Sequence, residues 1–436
     1  MNLQTSNEVV TTLNVNTNRS AKNIYRQQRG HFETKFSFNH PSQKYFCKVD
    51  MVKSLLIVLG LISTITITIA KPAIKEIVFT PKNLVLGSYS ADPQNDETFD
   101  RLKKAGFNYV HTYRTHKPEW DIKFFELARK YDMKVMYNLR ARNYIKDGDE
   151  QWLSTTMKTV EHFNEHPSLG MWYLWDEPTT EMLPNVAKLR EEIRKVSDVP
   201  TSLVIHWRKA WENTRGYSDI WMVDTYPVRG QDFPNAPLQH YTAFVSGAAR
   251  CKLPGTPFIP VMQACDFTCF PDQARNLKDK SKLRYPNLTE MRFMAFSSLT
   301  YGIHGLFFYS YHHSHLEKPE GQAFFYKALA PLLTEIKAFD AAVGQPWNVK
   351  QNFKLNKQEN INLGYWERKT GNFMVMTNNS PQIRNLKINL TQENDFPTNK
   401  KLIPWGETNK TNAMLDDGVL SIDNVQPWET FVWQVK

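Results

Sequence analysis

The sequence predicts a (β/α)8 barrel followed by a small antiparallel β-sandwich. Three observations carry this expectation. From residue 84, eight short β-rich runs alternate with helical patterns over about 260 residues, the usual span of one such barrel. No Gly-rich phosphate loop follows the first run, which argues against a doubly wound open sheet. After Gly344 helix-length apolar patterns disappear, and short alternating runs separated by Asn, Pro, Gly and Asp take over.

The elements follow in order. Leu84 to Tyr89 reads as the first strand, and Glu97 to Ala105 as a helix stopped by Gly106. Phe107 to Tyr113 and Lys134 to Leu139 are strands two and three, separated by a helix from Trp120 to Tyr131. Gln151 to Asn164 is helical, and Leu169 to Trp175 is the fourth strand. Met182 to Val196 carries its charges on one face, as an amphipathic helix does. Thr201 to His206 and Ile220 to Asp224 are strands five and six, and Leu238 to Arg250 is helical. Pro257 to Ala264 and Gly302 to Tyr309 are strands seven and eight, with a helix from Leu288 to Thr300 between them. A helix from Ala323 to Phe339 closes the barrel, assigned to residues 71–345. Residues 346–436 form the sandwich, with strands at Asn362 to Glu367, Phe373 to Thr377, Leu386 to Leu390 and Thr430 to Val435.

The N-terminal segment stands apart. Residues 1–50 are polar, Asn-rich and without apolar periodicity, and read as a disordered or upstream extension. Residues 51–70 read as a secretory signal peptide: a basic start at Lys53, an uncharged run from Ser54 to Ala70, and small residues before Lys71. The rival reading is a membrane anchor of a type II glycoprotein starting at Met1, although the run is short for a span. Cleavage leaves a secreted, extracellular protein with no membrane partner. Sequons at Asn287, Asn378, Asn389 and Asn409 agree with that route, Pro381 weakening the second. Among Cys251, Cys265 and Cys269 one disulfide is expected in an oxidising compartment.

Composition excludes little beyond this. The chain of 436 residues is 41% hydrophobic and 22% charged, as globular proteins are. Its net charge of +10 falls to +5 without residues 1–70, and no Lys/Arg stripe marks a nucleic-acid partner.

Barrel enzymes place reacting groups at the C-terminal ends of their strands. The fourth strand ends Trp172-Tyr173-Leu174-Trp175-Asp176-Glu177-Pro178. An apolar, Trp-rich surround desolvates a carboxylate and raises its pKa, the setting of a general acid. Glycosidic cleavage needs such an acid at the leaving oxygen. Glu177 is therefore the candidate proton donor. The alternative is a plain helix-start acid before Pro178.

This segment resembles the fourth-strand signature of glycoside hydrolase clan A, usually Asn-Glu-Pro. The resemblance implies that Glu177 is the acid/base and that Asp176 replaces the Asn that contacts a substrate hydroxyl. It also implies a nucleophile Glu at the end of strand seven, where this chain has Gln263, an amide that cannot serve. Three explanations stay open: Asp266 from a shifted position, Asp224 on strand six as base of an inverting mechanism, or a dead site. Tyr226 resembles the family's sixth-strand Tyr, which bonds the nucleophile. A spacing near 5 Å between the paired carboxyls means retention, and about 6.5–9.5 Å means inversion.

Other strand ends supply candidate substrate contacts: Trp175 and Trp207 as stacking platforms, Arg140 and Arg114 as donors to sugar hydroxyls or a carboxylate, and Tyr309 and Tyr89 as lining. The His312-His313-Ser314-His315 cluster matches no zinc spacing, so neither a metal nor a cofactor is expected. The expectation is a secreted O-glycosidase acting on an oligo- or polysaccharide. Its alternative is a non-catalytic carbohydrate-binding barrel, motivated by Gln263.

Overall fold

The computed structural model describes residues 77–89, 91, 95–112, 118–270, 282–350, 360–369, 371–390, 400–406 and 413–436. The N-terminal extension, the candidate signal segment, Arg114 and Asn409 lie outside the described residues. Residues 70–436 form one compact unit.

Eight parallel strands close into a barrel in sequence order. They are β1 (Val85–Ser88), β2 (Tyr109–His111), β3 (Lys134–Asn138), β4 (Leu169–Asp176), β5 (Thr201–Ile205), β6 (Ile220–Asp224), β7 (Phe258–Gln263) and β8 (Gly305–Tyr309). Closure is completed where β8 pairs with β1, Val85 opposite Gly305 through Ser88 opposite Phe308. The strands are buried on both faces, so alternate residues serve two cores. Val85, Met171, Met222, Ile259 and Phe307 fill the barrel interior. Leu86, Trp172, Leu203, Trp221 and Phe308 face the surrounding helices.

Helix caps are local sequence effects. The Asp96–Ala105 helix starts where the Asn95 side chain accepts from the Glu97 N–H, and ends at Gly106 with φ 112°. The Leu288–Leu299 helix has a reciprocal capping box between Asn287 and Glu290. Two departures from expectation occur here. A short helix at Ala141–Lys146 lacks the apolar period that would announce it. The closing helix begins earlier, at Pro319, and contains a π-helical turn at Phe325–Leu329 before Ala330–Val343.

The C-terminal region forms two antiparallel sheets. The first has four strands in the order Leu402–Pro404, Thr430–Val435, Asn372–Asn378, Ile361–Trp366, and the second three in the order Arg384–Asn389, Val419–Val425, Met414–Asp416. Three of these strands, at Leu402–Pro404, Met414–Asp416 and Val419–Val425, go beyond the sequence reading. The sandwich shares a core with the barrel's outer helices: Phe339 meets Trp366 and Phe373 edge-on, and the Trp428 indole N–H donates to Pro234 O at 2.7 Å.

The described cysteines are free thiols, which corrects the expected disulfide. Cys251 precedes β7 and Cys265 follows it, so a strand of roughly 20 Å separates those two. Cys269 faces Cys265 as a thiol, and burial pushes its pKa up. Of the sequons, Asn378 is fully buried and donates to Gln426 O, while Asn389 is exposed. A buried, bonded amide cannot carry a glycan in the folded protein.

Candidate active site

A cavity of about 280 Å³ opens at the C-terminal ends of the strands. Asp176, Glu177, Trp207, Asp224, Tyr226 and Tyr309 line it, bringing together candidates from four strand ends.

The end of β4 is shaped by a bulge. The β4–β5 register shifts between Tyr173 and Trp175, so Trp175 pairs with the outward-facing Leu203 and Asp176 with the inward-facing Val204. One extra residue re-aims every side chain after it. Trp175 is thereby only 2% exposed and packs in the outer core, away from the cavity, which removes it as a stacking platform. Asp176 turns inward and accepts from the Tyr173 hydroxyl at 2.7 Å. Glu177 follows with φ 48°, a left-handed conformation that costs a non-glycine residue on the order of 1–3 kcal/mol. Its N–H is held by Val204 O at 3.1 Å.

Glu177 faces Asp224, at the end of β6. Ligating atoms of Glu177, His206 and Asp224 all lie within 4.8 Å of one another. Asp224 is 7% exposed, and its Oδ1 has no hydrogen-bond partner among the described residues. Burial raises the Glu177 pKa to about 7, helped by the neighbouring Asp224 and Asp176 carboxylates and opposed by His206 and Arg142. Burial and then Asp176 push Asp224 up as well, against the facing Tyr226 hydroxyl. Two such close carboxyls titrate as a pair, so around neutral pH one proton serves both. His206 Nδ1 lies 2.9 Å from Asp224 O, fixing the ring beside the pair. With its donors so close, the Glu177, His206 and Asp224 trio could also receive a divalent cation.

The remaining candidates go elsewhere. Asp266 accepts from the Thr268 N–H and hydroxyl in the loop after β7 and does not line the cavity. Arg140 is half-buried and bonded to Asp121, with Nη2 2.6 Å from Oδ2, and does not line the cavity. Gln263 is fully buried and works as a clamp: its Oε1 accepts from the Val228 N–H at 2.9 Å and its Nε2 donates to Val228 O at 2.7 Å. It therefore holds the β6 loop instead of facing substrate.

Five lining residues escaped the sequence reading: Val204, Arg229, Val261, Phe267 and Phe270. Tyr226, Phe270 and Tyr309 stack on one another with centroids 5.2–5.6 Å apart, making an aromatic wall. The available signal was the pair of Phe residues just beyond β7, which carries no period because it lies in a loop.

No family model matches the chain, and no curated protein matches it. Solved structures do. A maltogenic α-amylase from Thermotoga neapolitana is 11% identical over 82% of this chain and 99% of its own, with a TM-score of 0.52. A debranching enzyme from Nostoc punctiforme is 10% identical, covering 83% and 99%, at 0.51. A family 39 glycoside hydrolase from Bacteroides cellulosilyticus WH2 is 13% identical, covering 81% of each chain, at 0.49. At these identities the likeness to the first two shows the (β/α)8 barrel fold alone.

Proposed function

We propose that the protein is a retaining O-glycosidase with Glu177 as acid/base and Asp224 as nucleophile. The observation that carries this reading is the pair of facing carboxyls, both raised in pKa, in a cavity sized for a sugar ring. Their close approach leaves no room for the water that an inverting enzyme needs between them, so the spacing favours retention over inversion.

In the first step Asp224 Oδ1, which accepts no hydrogen bond among the described residues and lies 3.8 Å from His206 Nδ1, attacks the anomeric carbon while the Glu177 proton passes to the glycosidic oxygen. The C–O bond breaks, leaving a glycosyl ester on Asp224 and a free alcohol. In the second step Glu177, now a carboxylate, takes a proton from water. The resulting oxygen displaces Asp224 at the same carbon, with the configuration retained. Tyr226 steadies the ionised Asp224, and Asp176 offers an acceptor to a ring hydroxyl. The Tyr226–Phe270–Tyr309 wall and exposed Trp207 present aromatic faces to sugar C–H surfaces. Secretion through the 51–70 segment belongs to the same proposal, and N-terminal sequencing of exported protein starting near Lys71 tests it.

The experiment is turnover of an aryl-glycoside panel by wild type, Glu177→Gln and Asp224→Asn, with product configuration followed by NMR. Loss of turnover in both variants and retention in the wild type are expected. An inverted product, or full activity in either variant, refutes the assignment.

A further inference from the structure

We infer that the cavity takes an anionic sugar, a hexuronoside whose carboxylate docks on the guanidinium of Arg229. This rests on the carbohydrate reading above and supplies the substrate class that reading leaves open.

Arg229 lines the same cavity as the carboxyl pair. Its position is built in several ways. Gln263 clamps Val228 next to it, and the Arg229 N–H donates to Gln231 Oε1 at 2.9 Å. Its Nε donates to Tyr226 O at 3.2 Å, and the guanidinium lies over the Phe267 ring, 5.0 Å from the centroid. One edge and one face of the fork are thus fixed, while its two terminal amino groups donate to no described acceptor. No carboxylate among the described residues forms an ion pair with it. The acids of the site do not use its charge either: Glu177 is influenced by His206 and Arg142, and Arg229 itself only by burial.

Arg229 is an exposed cation held over an aromatic ring at the edge of a sugar-sized cavity, and its two terminal amino groups, donating to no described acceptor, are placed to receive an anion there. Arginine stays charged and presents a planar fork that matches a planar carboxylate in two parallel hydrogen bonds. A neutral hexose has no charged group to offer that fork. A sulfated sugar shares the charge, and its tetrahedral group fits the planar fork less well.

The test is calorimetric titration of methyl glucuronoside and methyl galacturonoside, the corresponding neutral methyl hexosides, and their 6-O-sulfates, into Glu177→Gln protein. The same titrations are run with Arg229→Met and Arg229→Lys added to that background, each checked for an unchanged thermal unfolding profile. A hexuronoside is expected to bind roughly ten- to hundredfold more tightly than its neutral partner, and Arg229→Met to erase the difference. Arg229→Lys is expected to fall between, keeping the charge and losing the fork. Equal binding of neutral and acidic sugars, no binding of either, or preference for the sulfate over the carboxylate overturns the inference. Wild-type turnover separates the two readings. Neutral glycosides cleaved as well as uronides refute the anion site and leave hydrolysis standing. Uronides bound through Arg229 but never cleaved refute hydrolysis and leave the anion site standing.

Discussion

Replacing Glu177 by Gln changes stability in a way that depends on pH. In the folded protein burial and two neighbouring acids raise Glu177 from the usual 4.5 to about 7. Ionising it therefore costs more in the folded chain than in the unfolded one. The sign follows directly: its contribution to stability is fully present below about 4.5 and is lost as the pH rises through about 7. The displacement corresponds to roughly 3 kcal/mol, an upper figure because the pair relaxes jointly and water reaches part of the side chain. Glutamine has nearly the same shape and never ionises. Glu177→Gln is expected to match the wild type near pH 4 and to exceed it increasingly toward pH 8, by up to about 3 kcal/mol. Urea denaturation of both proteins across this range reads the difference, and carbon NMR of the Glu177 carboxyl reads its titration directly. Parallel stability profiles, or a carboxyl that titrates in the ordinary range, would show that the pair does not share a proton and would remove the basis for the acid assignment.

Three further outcomes follow from other parts of the fold. Glycoside turnover is expected to survive dialysis against a chelator, because the proposed chemistry uses only protons and carboxylates; loss of activity restored by a divalent cation would instead assign Glu177, His206 and Asp224 as ligands. Arg140→Ala leaves Asp121 buried without its cation, so chemical denaturation should register a loss of about 3–5 kcal/mol, with catalysis unchanged at low temperature. Gly305→Ala sets a Cβ 2.3 Å from Val85 O where β8 closes on β1, a contact with backbone that no rotamer relieves. That variant is expected to unfold at distinctly lower temperature by calorimetry, and a wild-type transition would mean that the closing strands can separate at little cost.

The barrel was legible because its signal is repeated and local. Each strand is a short apolar run and each helix an amphipathic one, and eight repeats average out errors at single boundaries. The helix stop at Gly106 was likewise readable from residue type. Glu177 stood out because a carboxyl after five apolar residues is unusual wherever the chain goes. The sandwich was recognised as a class, while three of its strands were missed: two have only three residues, and the third, Val419–Val425, pairs across the Asp417-Gly418 turn with one of those short strands and on its other side with the distant Arg384–Asn389.

What the sequence by itself determined was the order of strands and helices, the end of the barrel at which chemistry gathers, and one member of the acid pair. Only the tertiary structure decided which carboxyl faces Glu177, that Trp175 turns away, that Gln263 clamps a loop, and that Arg229 enters the cavity. The reason is the reach of the forces involved. Periodicity and capping act within a few residues, whereas the pairing of Glu177 with Asp224 spans two strands. It depends on a bulge that moves each later side chain of β4 to the opposite face, and that shift arises from register with β5, which no local pattern in β4 records.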